Sequence, residues 1–142
     1  MPYTADERIN LSPKVLSEYI ISSQHRRVGN ANKCVWTISF EEEVNCFSNS
    51  FTENWISNSK AWGLIIENDF LKVIGLNNDK QELKLAKFVD ANKNNIWHGY
   101  PADYMNRAQD IPLENILKKW VTKKYITKAK MNKIRRGISC NL

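Results

Sequence analysis

The sequence predicts an α+β fold, and three observations carry that expectation. Residues 34–40 alternate as a strand does, residues 61–100 hold four short apolar or alternating runs between Asn/Asp-rich turns, and the C-terminal residues carry two helical patterns. The expected architecture is an N-terminal helix, an antiparallel sheet of about five strands (34–40 plus a meander over 61–100) and a basic C-terminal helical hairpin. The 142 residues suit one domain, 1–142, with no linker or repeat to divide it. A chain of this size buries roughly two-thirds of its unfolded surface, so it needs no disulfide or metal to stay folded.

Taken in order, Ser12-Pro13 reads as a helix start, with Ser as N-cap and Pro at the first helical position. Leu16, Tyr19 and Ile20 follow at helical spacing, and the helix is expected to run to about Arg26, ending before Gly29-Asn30. In "CVWTISF", Cys34, Trp36, Ile38 and Phe40 share one face of a half-buried strand. Over 41–58, Val44, Phe47, Phe51 and Trp55 fit one helical face, although the Asn and Ser content favours loop. The triplet Glu41-Glu42-Glu43 suits a helix start, where acids complement the dipole. The runs "AWGLIIE", "FLKVIGL", "ELKLAKFVD" and "IWHGY" then form the meander, with Pro101 ending its last strand because proline cannot donate to the ladder.

Asp110-Ile111-Pro112 opens the next helix, in which Leu113, Ile116, Leu117, Trp120 and Val121 make an apolar stripe. The second helix of the hairpin has Thr127 as N-cap, Ile126 and Met131 as a hydrophobic staple and Gly137 as its C′ residue. The two helices are expected over roughly 112–124 and 128–136.

The net charge is +6, and its placement says more than its size. The last 28 residues contain no acid but hold Lys118, Lys119, Lys123, Lys124, Lys128, Lys130, Lys133, Arg135 and Arg136; the preceding 114 residues therefore carry −3. Such a basic element on a nearly neutral body attracts polyanions. A solvated helix face explains lysines too, but such faces interleave both signs, since opposite charges four apart stabilise a helix. The hairpin has the outline of a helix-turn-helix, yet it lacks the usual turn glycine, and its second helix is mostly lysine where specific readers commonly carry Asn, Gln or Ser for base edges. Phosphate contact without sequence reading fits it better.

The stretch "WHGYPADY" gathers chemistry-bearing residues. His98 can exchange protons near neutral pH. Trp97 and Tyr100 offer flat faces to a base or sugar, Asp103 could orient the imidazole, and Tyr104 could donate a hydroxyl. Gly99 allows close backbone approach. In a regular strand, His98 and Tyr100 point the same way and Trp97 and Gly99 the other. The plainer account is a strand end turning a corner, with Trp97 in the core.

The second histidine, His25, has Arg26, Arg27 and Lys33 near it in sequence. Two histidines and a cation are the minimum set for metal-independent RNA cleavage, but nothing in the sequence joins His25 to His98, 73 residues away. Three scattered cysteines and two histidines show no metal-ligand spacing, so no metal is expected. No nucleotide-loop or nucleophile-elbow motif is present, so no cofactor is expected. Unpaired cysteines and the lack of an apolar signal or spanning segment suggest a cytoplasmic protein off the membrane.

Three function classes follow. The leading one is a small binding protein for a phosphate-bearing ligand, nucleic acid or nucleotide, using the basic hairpin and the Trp97–Tyr104 segment. The others are a small metal-independent RNase or nucleotide-processing enzyme using His98 with His25, and an interaction module (a toxin/antitoxin or phage–host factor) that meets an acidic protein.

Overall fold

The computed structural model describes residues 3–26 and 33–142. Its strands are β1 (Arg8–Asn10), β2 (Glu18–Ile20), β3 (Val35–Trp36), β4 (Ile56–Ser57), β5 (Lys60–Gly63), β6 (Ile66–Glu67), β7 (Phe70–Leu71), β8 (Gly75–Leu76), β9 (Glu82–Leu83), β10 (Leu85–Val89) and β11 (Ile96–Ala102). Its α-helices are α1 (Phe40–Thr52), α2 (Glu114–Thr122) and α3 (Lys128–Arg135), and short 3₁₀ turns lie at Ser23–His25 and Ala108–Asp110. The class is α+β, built on a mixed six-stranded sheet in the order β1-β2-β11-β10-β5-β4. Among the described strands only β2 and β11 run parallel. A three-stranded sheet, β3-β8-β9, and a two-stranded ribbon, β6-β7, complete the described strands. Among the described residues no helix is long and apolar enough to cross a membrane.

The expected N-terminal helix is corrected: its residues form β2 and a 3₁₀ turn. Val15, Ser17, Tyr19 and Ile21 are buried in strict alternation while Leu16 is exposed, so the period is two. Tyr19 and Ile21 are fully buried. Burial is worth roughly 1.5–3 kcal/mol per large apolar side chain, which exceeds helix-propensity differences of under about 1 kcal/mol per residue. Pairing with β1 and β11 therefore decides the conformation. The expected stop at Gly29-Asn30 lies outside the described residues.

The strand expected over 34–40 is also corrected. Cys34, Trp36 and Ile38 are buried as the alternation requires, but only Val35–Trp36 pair, and they pair with β8 outside the main sheet. Ser39 then starts α1: its hydroxyl accepts from the Glu42 N–H at 3.1 Å, and the Glu42 carboxylate accepts from the Ser39 N–H at 3.2 Å. The helix expected over 41–58 is present in part as α1, with Glu41, Glu42 and Glu43 in its first turn; it ends at Thr52, so Trp55 lies beyond it.

The expected meander is split. Asn68 and Asp69 adopt positive φ and close the β6-β7 ribbon, as the Asn/Asp turn chemistry implies. The chain leaves the main sheet after β5 and returns as β10, which takes the place beside β5. Nor does β11 end at Pro101, which is in register with Ala86. The neighbouring β2 pairs only with Ile96 and Trp97, so beyond them β11 is unpaired on that side, where a ladder tolerates proline.

The sheet's two faces bury two clusters. On one, α1 packs with Val44 and Phe47 against Tyr19, Ala61, Phe88 and Trp97. On the other, Ile116, Leu117, Trp120, Met131 and Ile134 of α2 and α3 cover Trp62, Leu85 and Ala102. Thr127 caps α3, its hydroxyl accepting from the Lys130 N–H at 3.2 Å. Gly137 follows α3 with φ +68°, and the Ile138 N–H donates back to the Lys133 carbonyl at 2.9 Å.

Gly99 serves packing. A methyl group there would sit 2.3 Å from Phe88 Cδ1 and 2.8 Å from the Tyr19 hydroxyl. The Gly99→Ala variant is expected to lose about 1–3 kcal/mol of stability, read as a lower urea midpoint at unchanged slope.

Candidate functional site

The register of the sheet places the site. Val89 of β10 is opposite both His98 of β11 and Lys60 of β5, and Lys87 is opposite both Tyr100 and Trp62. Because facing residues share a side, His98 and Tyr100 do point the same way, onto the face that α2 and α3 also cover. The segment before α2 lies between them. There the fully buried Asp110 accepts the Tyr100 hydroxyl at 3.1 Å and the Asp103 N–H at 2.9 Å, and its carbonyl accepts the Trp62 indole N–H at 3.0 Å. Lys87 Nζ donates to the Gln109 carbonyl, lies 3.8 Å from Asp110 Oδ1 and sits over the Trp62 ring. Burial lowers the Lys87 pKa, and the Asp110 charge opposes that shift.

Beyond this roof the two histidines meet. His25 and His98 line one cleft of about 450 Å³, with Asp6, Arg8, Gln24, Lys33 and Asn94 among its walls. His25 stacks on Tyr100, with ring centroids 5.3 Å apart at 23°. Its Nδ1 is 2.9 Å from the Cys34 carbonyl. A carbonyl only accepts, so Nδ1 carries the proton and Nε2 of the neutral ring is left as the acceptor.

Arg26 brings His25 there. It turns the opposite way, into the fold, where its Nη2 lies 2.6 Å from the buried Glu43 carboxylate and Nη1 donates to the Ile38 carbonyl. Tyr19 donates to the same carboxylate at 2.5 Å. Burial raises the pKa of Glu43, and the Tyr19 hydroxyl and Arg26 pull it back. Arg26 is thus a core residue. The buried acid and its partners were not legible in sequence; the available hint was a glutamate one residue before Val44 on the inward side of α1.

Burial lowers the pKa of both imidazoles from the ordinary 6.5. At His98 the Lys33 charge adds to the effect. At His25 the Cys34 carbonyl opposes it, while Lys33, His98 and Arg107 reinforce it. A cleft with two neutral imidazoles beside fixed cations is poised to take up a proton together with an anion.

The other expected site residues are dispersed. Trp97 borders the histidine cleft, but its ring is buried against Phe47 and Phe51 on the far face of the sheet. Asp103 is buried, its carboxylate accepting from Asn77 and Asn106, and His98 is not among its hydrogen-bond partners. The Tyr104 hydroxyl donates to the Ile138 carbonyl at 3.2 Å. The residues that line the histidine cleft include none from α2 or α3. Lys118 pairs with Glu114, Lys123 with Glu53, Arg135 with Glu114, and Lys119 donates to the Asn54 carbonyl. Lys124, Lys128, Lys133 and Arg136 are exposed. No side-chain ion pair engages these four or the half-buried Lys130 among the described residues. The single combined site expected from Trp97–Tyr104 and the lysines is therefore two separate features. Among the described residues no group of three or more His, Cys, Asp or Glu side chains is arranged to hold a metal ion.

The chain matches no family model, no curated protein sequence and no solved structure.

Both histidines should titrate below 6.5 in an NMR pH series, and Lys33→Ala should move both upward. A lowered histidine pKa means the folded state resists protonation. The stability it contributes is present above 6.5 and is lost as pH falls through the folded-state values. The urea midpoint at pH 5 is thus expected below that at pH 7.

Proposed function

We propose that the chain is a small cytoplasmic binding protein for a phosphate-bearing ligand, nucleic acid or nucleotide, and that the phosphate sits in the cleft of His25 and His98. The meeting of the two histidines with Arg8 and Lys33 in one cleft carries this reading. Protonated imidazoles, a guanidinium and an ammonium are the donors that phosphate oxygens take, and a bound anion would raise the lowered histidine pKa values. The basic hairpin of α2 and α3, none of whose residues line the cleft, adds non-specific attraction through its exposed cations.

A second reading draws on the same pair of histidines: metal-independent cleavage of RNA. One imidazole takes the 2′-hydroxyl proton as that oxygen bonds to phosphorus. The other gives a proton to the departing 5′-oxygen, and Lys33 stabilises the charge on the phosphorane. Both histidines titrate low, so such an enzyme would work best below pH 6.5.

Fluorescence anisotropy with labelled single-stranded RNA and DNA, together with calorimetry on nucleotides, at low salt tests the first reading. Binding should weaken as salt rises and strengthen as pH falls from 7 to 5.5, and His98→Ala should cost about tenfold or more, roughly 1.4 kcal/mol. Charge reversal at Lys128, Lys133 and Arg136 should flatten the salt dependence. Absence of binding to RNA, DNA and nucleotides at low salt overturns the reading. Turnover of RNA in a chelator, abolished in both His25→Ala and His98→Ala, would select the enzyme instead.

A further inference from the structure

The histidine cleft has a continuation across the sheet. Side chains on the face beneath α2 and α3 form three rows. The innermost, Leu85 and Ala102, lies in the cluster under the helices. The middle row, Trp62, Lys87 and Tyr100, lies beneath the 107–111 segment through the hydrogen bonds of Gln109 and Asp110. The outer row, Lys60, Val89 and His98, has no such cover: Lys60 is exposed, and Val89 and His98 are half-buried.

One end of this row opens into the histidine cleft. At the other end lies a larger one, about 810 Å³, whose walls include Ser57, Asn58, Lys60, Lys93 and Gln109. The turn between β10 and β11 lines both, with Asp90 and Lys93 on one side and Ala91, Asn92 and Asn94 on the other. Strands lie about 4.8 Å apart, so the backbones at His98 and Lys60 are about 10 Å apart.

The two clefts also share a charge pattern. Arg8 and Lys33 stand in one, and Lys60 and Lys93 in the other. Each contains one carboxylate, and each carboxylate is engaged by backbone donors: Asp6 accepts from the Ser23 N–H, and Asp90 from the N–H groups of Asn94 and Asn95. Glu18, in register with Ile96 beside the first cleft, does not line it.

We propose that the ligand is a single-stranded polynucleotide lying across the open row, with one phosphate at His25 and His98 and another at Lys60 and Lys93. This rests on reading the histidine cleft as a phosphate site. A row one side chain wide, rimmed by the β10–β11 turn and by Ala108 and Gln109, holds one backbone. A mononucleotide reaches only one of its ends.

The test is anisotropy of labelled oligouridylates and oligothymidylates of one to eight nucleotides on the full chain at low salt. Affinity should climb at least tenfold from one nucleotide to about four and then level off. The double variant Lys60→Gln, Lys93→Asn should lose at least tenfold more affinity for the tetranucleotide than for the mononucleotide. Asn at position 93 suits its positive φ of 53°, so the variant should keep the parent's thermal unfolding midpoint. His98→Ala should weaken every length. Affinity independent of length, a double variant that binds the tetranucleotide as the parent does, or tighter binding of a duplex of equal length would overturn the track while the phosphate site stands. Absence of binding at every length would overturn both.

Discussion

A buried carboxylate organises the face that carries the candidate site. Asp110 is fully buried, yet both of its oxygens are used: one takes the Tyr100 hydroxyl, the other the Asp103 N–H. Its own carbonyl takes the Trp62 indole, and Lys87 stands 3.8 Å away. An isolated ion in that place would cost several kcal/mol, so the contacts must be made together or not at all. Made together, they draw the segment before α2 down across β5, β10 and β11. That segment separates the helices, which need an apolar floor, from the row at His98, which stays open to water.

A second buried acid does the corresponding work on the other face. Glu43 sits in the first turn of α1 and takes both the Tyr19 hydroxyl and the Arg26 guanidinium. This ties β2 and the turn after it to α1, so His25 is delivered to the cleft as its neighbour Arg26 is drawn into the core. The stacking of His25 on Tyr100 then links the two networks, since Tyr100 is itself held by Asp110. The proposed phosphate site thus rests on two buried acids that do not belong to it.

The motif-like stretch "WHGYPADY" divides along the same lines. Trp97 and Gly99 serve the α1 face, the glycine because the Phe88 ring and the Tyr19 hydroxyl occupy the space a side chain would take. Pro101 is fully packed, 2.3 Å from where a side chain on Gly75 would begin. Asp103 and Tyr104 fasten the chain beyond the strand to Asn77 and to the C-terminal residues. His98 lines the candidate site and Tyr100 stacks on His25 beside it, while Trp97 borders the cleft with its ring buried on the opposite face. Dense chemical character in a short run reflected several packing demands meeting at one strand.

Local signals were legible wherever short-range physics decides. The acidic helix start at Glu41-Glu42-Glu43, the Asn68-Asp69 turn, the Thr127 cap and the apolar stripe of α2 could all be read from neighbouring residues, and each is present. So could the basic character of the C-terminal residues, since charge is a property of composition. Tertiary structure decided what depends on pairing between distant residues. Residues 18–20 became a strand because β1 and β11 were there to pair with, and β5 found its neighbour in β10 because the chain made a detour between them. The meeting of His25 with His98 is of the same kind: it follows from the sheet order and two buried acids, and no periodicity within either segment encodes it.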